Sequence, residues 1–564
     1  MAYKADERIS RILLGNGVLT EEQCAQISER CEESGRTESS VILESGYATE
    51  MQVAEAISQK MDLPLISLPD REIPEELLQM VDPALLKKYV VLPVEFSEKK
   101  KRTICLAMAD PMNFLVMDDI SAITGYRVEA VVATPQDILT TIDRYFGAEQ
   151  AQDMAKLYAE ERGELFQEIQ EDQENDEVNN SPIVVLVNTM IEQAARQRAS
   201  DIHIEALSNC VRVRFRIDGV LCERMVYSAD LLPAIVARIK IIGGMDISEK
   251  RKPQDGRITV TVDRREYDIR ASVLPTVYGE KCVLRLSLKK GILRSLEKLG
   301  LSEEERQEFD RILFRPHGIV LVTGPTGSGK TTTLYAALTA LNRPEVNVLT
   351  IEDPVEANVD GINQLQVNPK AGLTFASALR SILRQDPDII MVGEIRDDET
   401  ASVAIQASIT GHLVLSTLHT NSTANTITRL LDMGVESYLI ADALTGVVAQ
   451  RLLRRLCPYC KEEYEATEEE KLGLGVPPTE NLRLFRPCGC GRCNNTGYHE
   501  RIGVYEIMEI SPAMKRLITR QGTTDEINAL AVKEGMSTLM ESAGRLVKEG
   551  ITAYSEMMRL AMEE

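Results

Sequence analysis

The pattern of apolar positions changes from one stretch of the chain to the next. In residues 1–70 the pattern is helical and doubled. Gly17, Thr20, Glu21, Gln23 and Ala25 recur 29 positions later as Gly46, Thr49, Glu50, Gln52 and Ala54, each set following an apolar run (Ile12–Leu14, Val41–Leu43). Thr20 with Gln23 and Thr49 with Gln52 fit capping boxes, in which the hydroxyl accepts an orphan backbone N–H and the glutamine reaches back to the cap. Two copies of a helix, turn and capped helix predict a small helical bundle. Residues 71–147 mix helical and strand-like runs, among them Lys88–Val94 and Arg102–Met108, and predict a small α+β module. In residues 148–178 apolar positions thin out, and from Glu160 to Glu177 nine acids face a lone Arg162, the composition of a solvated linker. Residues 179–300 open with a helix-like stretch to Arg198 and continue with the strands Asp201–Glu205 and Val211–Ile217, an α+β domain. In the second strand Val211, Val213, Phe215 and Ile217 alternate with Arg212, Arg214 and Arg216, the period of two that sorts residues onto opposite faces. Three guanidinium groups in line predict an anion-facing surface.

Residues 301–564 carry short apolar runs without alternation, as strands buried on both faces of a parallel sheet require. One of them, His317–Thr323, leads at once into Gly324, Pro325, Thr326, Gly327, Ser328, Gly329, Lys330, Thr331 and Thr332, the full G-x-x-x-x-G-K-[ST] pattern. A helix-like stretch over Thr331–Leu341 completes the context this pattern needs. Its glycines let backbone N–H groups wrap a phosphate, Lys330 brings a positive charge, and the Thr331 hydroxyl is placed to ligate Mg²⁺ at a helix N-terminus whose dipole also favours anions. A second run from Asp388 delivers Glu394 at its C-terminal end, where parallel sheets bind ligands, as a group to polarise water or hold Mg²⁺ through one. A third, Val346–Ile351, delivers Glu352, Asp353 and Glu356 to the same edge. His412 and His419 bracket a further strand-like run and are candidates for sensing a γ-phosphate.

Composition narrows the class. At 564 residues the chain exceeds a single core. With 44% hydrophobic and 27% charged residues it is neither fibrous nor wholly disordered. Lys and Arg total 64 against 87 Asp and Glu, a net charge of −23, so no nucleic-acid partner held by phosphate neutralisation is expected. No window approaches the ~18 apolar residues of a membrane span, and the acidic start lacks a basic leader, so a cytosolic location is expected. Of eleven cysteines, six stand singly and five lie between Cys457 and Cys493. Cys457 and Cys460 form one C-x-x-C knuckle and Cys490 and Cys493 another, 29 residues apart, the arrangement of a structural Zn²⁺ held by four thiolates in an insertion over 456–497. Cys488 leaves open which thiols of the second knuckle ligate.

In order along the chain, Ser200–Glu205, Gly324–Thr331, Thr350–Glu356, Asp388–Glu394, His412–His419 and the tetracysteine segment together resemble the type II secretion and type IV pilus assembly ATPases. The resemblance implies a multidomain α/β chain: a RecA-like P-loop NTPase core, a preceding α+β domain that closes over nucleotide, N-terminal helical and α+β modules, and a zinc-binding insertion. It implies hydrolysis of ATP with Mg²⁺, Glu394 as the catalytic glutamate, Glu352 and Glu356 as an acidic box near Mg²⁺, and Arg257, Arg270 or Arg285 reaching the phosphates, Arg270 ranked first. It further implies a homo-hexamer, cytoplasmic and peripheral to the inner membrane, that drives pilus assembly or protein secretion through an inner-membrane platform protein. The front repeat is similar to the cyclic-di-GMP-binding module of some of these motors. It keeps Arg8, but Ser10 stands where that module has Gly, and Thr37, Glu38 and Ser39 stand where it has Arg, Leu and Gly. A carboxylate beside an anionic ligand is unfavourable, so the module is expected to keep its fold without tight cyclic-di-GMP binding. Two rival classes stand beside this reading: a RecA-like DNA-translocating motor, against which the acidic balance argues, and a non-hydrolysing nucleotide-binding scaffold, against which the intact Lys330, Thr331 and Glu394 argue.

Overall fold

The computed structural model describes residues 9–34, 38–69, 71–97, 102–143, 145–146, 182–263, 265–288, 295–493 and 495–563. Arg8, Thr37 and the acidic linker 148–178 fall outside the described residues. The chain divides into two compact units, the first drawn mainly from residues 1–286 and the second mainly from 287–564.

The first unit opens with the helices Ile9–Gly15, Glu21–Ser34, Glu38–Glu44 and Glu50–Met61, which share a core around Leu13, Ile27, Ile42 and Ile57. Both capping boxes form: the Thr20 and Thr49 N–H groups donate to Gln23 and Gln52 Oε1 at 2.9 Å, and the Gln23 and Gln52 N–H groups donate to the threonine hydroxyls at 3.3 Å. Glu38 is 3% exposed and accepts both the Ser10 N–H (3.1 Å) and the Ser10 hydroxyl (3.0 Å), so its carboxylate is held by the module's own donors. A three-stranded sheet follows, with β1 (Val91–Phe96) antiparallel to β2 (Thr103–Met108) and β2 parallel to β3 (Arg127–Val132). The run Lys88–Val94 is not one strand. Asp82 caps and Pro83 opens a helix through Tyr89, which takes Lys88, and Val90 turns at φ 51° before β1 begins.

The helix Pro182–Arg196 precedes a six-stranded sheet of β4 (Ala199–Ala206), β5 (Cys210–Ile217), β6 (Val220–Ser228), β7 (Gln254–Val262), β8 (Arg265–Thr276) and β9 (Gly279–Leu288), ordered β6-β5-β4-β9-β8-β7. On β5, Val211, Val213 and Phe215 are buried, as their alternation requires. The arginine row faces anions, but these belong to the chain itself. Arg212 and Arg214 meet Glu205 at 3.0 and 2.8 Å, Lys281 meets it at 3.2 Å, and Arg216 meets Asp201 at 3.6 Å. Antiparallel pairing sets Glu205 opposite Arg212 and Asp201 opposite Arg216, which fixes the match. Burial works against the Glu205 charge, yet the hydrogen bonds from Arg214, Lys281 and Arg212 prevail and hold the carboxyl down to about 2.

The second unit is built on a seven-stranded sheet of β10 (Gly318–Thr323), β11 (Val348–Glu352), β12 (Asn363–Gln366), β13 (Ile389–Val392), β14 (Leu413–Leu418), β15 (Leu444–Leu456) and β18 (Tyr498–Glu509), ordered β12-β11-β13-β14-β10-β15-β18. Between the last two, β16 (Glu462–Glu465) and β17 (Arg483–Arg486) form a separate hairpin. Every pairing up to β15 is parallel, and only β15 with β18 is antiparallel. β10, β11, β13 and β14 are buried along their whole length, with helices supplying apolar cores against the sheet. The register sets Thr323 beside Leu418 and Ala449, and Ile351 beside Val392. The residues just past these strand ends therefore share one edge, where α/β sheets place their ligands.

Candidate functional site

The phosphate loop leaves β10 at that edge and runs into the helix Lys330–Leu341. Gly324 sits at φ 146° and Gly329 at φ 92°, backbone that a side chain would strain. Space forbids one as well: a Cβ at Gly324 would lie 2.5 Å from the Gln450 carbonyl oxygen, and one at Gly329 would lie 2.8 Å from Gln450 Nε2. Neighbouring helices are capped by side chains, Ser422 for Thr423–Asp432 and Asp397 for Asp398–Ile409, whereas Gly329 offers none and leaves the first N–H groups of the helix for an anion. Ser328 is 4% exposed and its hydroxyl has no hydrogen-bond partner among the described residues. Lys330 Nζ donates to the loop's own carbonyls, Gly324 O at 2.8 Å and Pro325 O at 3.1 Å. Burial pushes this ammonium down to about 8, with Glu394 resisting and Arg451 reinforcing the shift. A phosphate would offer Lys330 a better partner than either carbonyl. A cradle only glycine fits, open helix donors and a cation held nearby together suit a polyphosphate. Thr331 is exposed at the first turn, where its hydroxyl can serve a Mg²⁺ bound with that phosphate.

Glu394 stands two residues past β13. Arg396 donates to its Oε1 at 2.5 Å, and His419 Nε2 lies 3.6 Å from its Oε2. Burial first, then the Lys330 charge, lowers the His419 pKa against the pull of Glu394, which favours the neutral ring. His412 is elsewhere. It precedes β14 at the opposite, N-terminal end and its Nδ1 is 2.9 Å from the Ala407 carbonyl, so the two histidines flank one strand without meeting at one site. Glu352, 4% exposed, ends β11 with both oxygens engaged: Tyr335 Oη donates at 2.5 Å, Thr350 Oγ1 at 2.7 Å and Gln364 Nε2 at 3.1 Å. Glu356 is half-buried, and its N–H donates to the same Tyr335 oxygen at 3.2 Å. Of the acidic box, exposed Asp353 and half-buried Glu356 stand nearer solvent than Glu352, while Glu352 with Tyr335 shapes the turn that carries them. Arg257 (exposed), Arg270 (half-buried) and Arg285, which pairs with Asp201 at 3.0 Å, belong to the sheet of the first unit. Tyr335, Arg396, Gln450 and Arg451 are members that no motif in the sequence singled out.

The second centre is the cysteine cluster. Sγ atoms of Cys457, Cys460, Cys490 and Cys493 all lie within 4.8 Å of one another, with Cys460 and Cys493 3.9 Å apart. A tetrahedron with ~2.3 Å metal–sulfur arms has edges of about 3.8 Å, so the cage fits Zn²⁺. Gly489 and Gly497 N–H groups donate to Cys460 and Cys493 at 3.3 and 3.2 Å, which favours thiolates. Cys488 is exposed, turned to Glu462 Oε2 at 3.5 Å, and takes no part in the cluster.

The parallel sheet with its glycine loop and flanking acids places the second unit in the class of P-loop nucleotide-binding domains. The chain belongs to the family described as type II/IV secretion system protein, whose model matches residues 176–559, and an MshEN domain model matches residues 61–152. It is 40% identical over 560 residues to the type IV pilus assembly ATPase PilB of Myxococcus xanthus, covering 98% of both chains. It is 50% identical over 386 residues to the type II secretion system protein E of Pseudomonas aeruginosa, covering 68% of this chain and 77% of that one. The ATPase DotB of Legionella pneumophila shares the fold, with a TM-score of 0.50 at 21% identity, covering 67% of this chain and 96% of that one. Among the described residues no helix is long and apolar enough to cross a membrane.

Proposed function

We propose that the protein is a Mg²⁺-dependent ATPase motor of type IV pilus assembly or type II secretion. The observation that carries this reading is the convergence, past the ends of β10, β13 and β14, of an intact phosphate loop with Lys330, of Glu394, and of His419. The loop N–H groups and Lys330 neutralise phosphate charge, and Glu394, oriented by Arg396 and His419, positions water for attack on the γ-phosphoryl group. Mg²⁺, when bound, neutralises charge developing on the β and γ oxygens. Zn²⁺ in the four-cysteine cage has no open position and serves the fold. A homo-hexamer bound at the inner membrane to an assembly platform is the working form, supported by the similarity to named pilus and secretion ATPases over nearly the whole chain. Neither a DNA-translocating nor a non-hydrolysing reading finds an observation in its favour. Lys330→Ala and Glu394→Gln are expected to lower ATP turnover by more than ~100-fold, the second with nucleotide binding kept. Parent-like turnover in either variant removes the assignment.

A further inference from the structure

Behind the phosphate loop lies a buried arginine. Arg451, on β15, is 3% exposed, and its neighbour Gln450 is 2% exposed. Gln450 serves the loop: its Oε1 accepts the Thr333 hydroxyl at 2.8 Å, and its Nε2 and carbonyl back onto Gly329 and Gly324. Arg451 reaches two ways. Its Nη1 donates to the Gln450 carbonyl at 3.1 Å, 3.2 Å from where a Gly324 Cβ would stand. Its Nη2 donates to the Asn421 carbonyl at 3.0 Å, with Asn421 Oδ1 at 3.4 Å. Asn421 is two residues beyond His419, whose ring faces Glu394. Thr420, between them, ties the same segment back to the end of β10 through the Thr323 hydroxyl, which accepts its N–H at 3.0 Å.

We propose that Arg451 is a positioning residue of the ATPase, a buried planar fork that fixes the His419–Asn421 segment to β15 at Gln450, the residue that backs the phosphate loop. Occupancy of the loop and placement of His419 over Glu394 are thereby one mechanical unit. The requirement is geometric: two acceptors in different directions are served at once by the rigid guanidinium, whereas a lysine ammonium on its flexible stem reaches one of them. Gln450 already holds the inner side of the loop, so what Arg451 alone supplies is the link to Asn421, felt in turnover and not in diphosphate binding.

This inference rests on the ATPase reading, and the test separates the two. Steady-state ATP hydrolysis and equilibrium ADP affinity are measured on the full chain for the parent, Arg451→Lys, Arg451→Gln and Asn421→Gly, with thermal unfolding to confirm folding. Asn421 is exposed, so its replacement threatens no core. The two Arg451 variants are expected to lose about tenfold or more in kcat, with KM for ATP and Kd for ADP within about threefold of the parent, and Asn421→Gly to follow the same direction. Gln450→Ala is expected to do the reverse, weakening ADP and ATP together. Turnover of Arg451→Lys within about twofold of the parent overturns the proposal, because charge without the fork then suffices. A loss of ADP affinity as large as the loss of kcat/KM overturns it too, since Arg451 would then merely shape the loop. A parent without ATP hydrolysis sinks the ATPase reading and this inference with it.

Discussion

The charge on Lys330 gives the most direct handle on the phosphate site. The ammonium is half-buried against the loop, where it donates to the Gly324 and Pro325 carbonyl oxygens, and burial holds its pKa down to about 8, below the ordinary lysine range. A bound polyphosphate favours the charged form and lifts that pKa again. The free protein therefore has the lower pKa, and above it nucleotide binding must take up a proton. Affinity is full below pH 8 and is lost as pH rises through it. Between pH 7 and pH 9 the charged fraction in the free protein falls from ~90% to ~10%, so the Kd for ADP should weaken by about tenfold. Titration calorimetry at fixed ionic strength and fixed free Mg²⁺ measures this, and repeating it in buffers of different ionisation enthalpy counts the proton. A Kd flat from pH 7 to pH 9, a Kd that tightens, or the same pH slope in Lys330→Met would refute the reasoning.

Two further outcomes follow from the buried polar groups. Tyr335→Phe removes one charge-assisted hydrogen bond to Glu352 and the oxygen to which the Glu356 and Ala357 N–H groups donate, at a cost of about 1–3 kcal/mol. Amide exchange at Glu356 and Ala357 should quicken, and unchanged protection there would show that Tyr335 does not hold the acidic turn. Elemental analysis should find one zinc per chain, retained in Cys488→Ser and lost in Cys490→Ser, and loss of the metal should open residues 457–497 to proteolysis. Zinc retained without Cys490 would mean that the cage is not the ligand set.

Much of the second unit was legible because its signals are local. An apolar run flanked by turn residues fixes a buried strand wherever it later sits in the sheet, and the phosphate loop, spanning eight residues, needs only the strand before it and the helix after it. The capping boxes at Thr20 and Thr49 each span four residues, and both form. The His412 assignment fell short for a different reason. A parallel strand has one ligand-bearing end, so only one of two histidines at its termini can face the phosphate loop. The parallel pairing of β14 with β10 puts His419, and not His412, at the end from which the phosphate loop leaves.

What escaped the sequence is the set of polar residues whose role depends on pairing far along the chain. Tyr335 reads as a core aromatic on a helix until Glu352, seventeen residues on, is delivered beneath its hydroxyl. The arginines of β5 read as an open anion surface until the register with β4 sets Asp201 and Glu205 against them, although the spacing of those acids, four apart on one strand face, was the available signal. Arg451 lies in a stretch with Arg454 and Arg455 that reads as a basic run. The three separate because β15 runs on along β18 past its last β10 partner, Ala449, and its alternation turns Arg451 inward while Arg454 turns to Glu556 at 2.7 Å. A buried polar group must find partners or cost the fold, so once burial is known its function is constrained far more tightly than that of an exposed one. The same condition explains why motif reading finds the groups that touch phosphate and passes over those that hold them: the first are chosen by chemistry at short spacing, the second by topology.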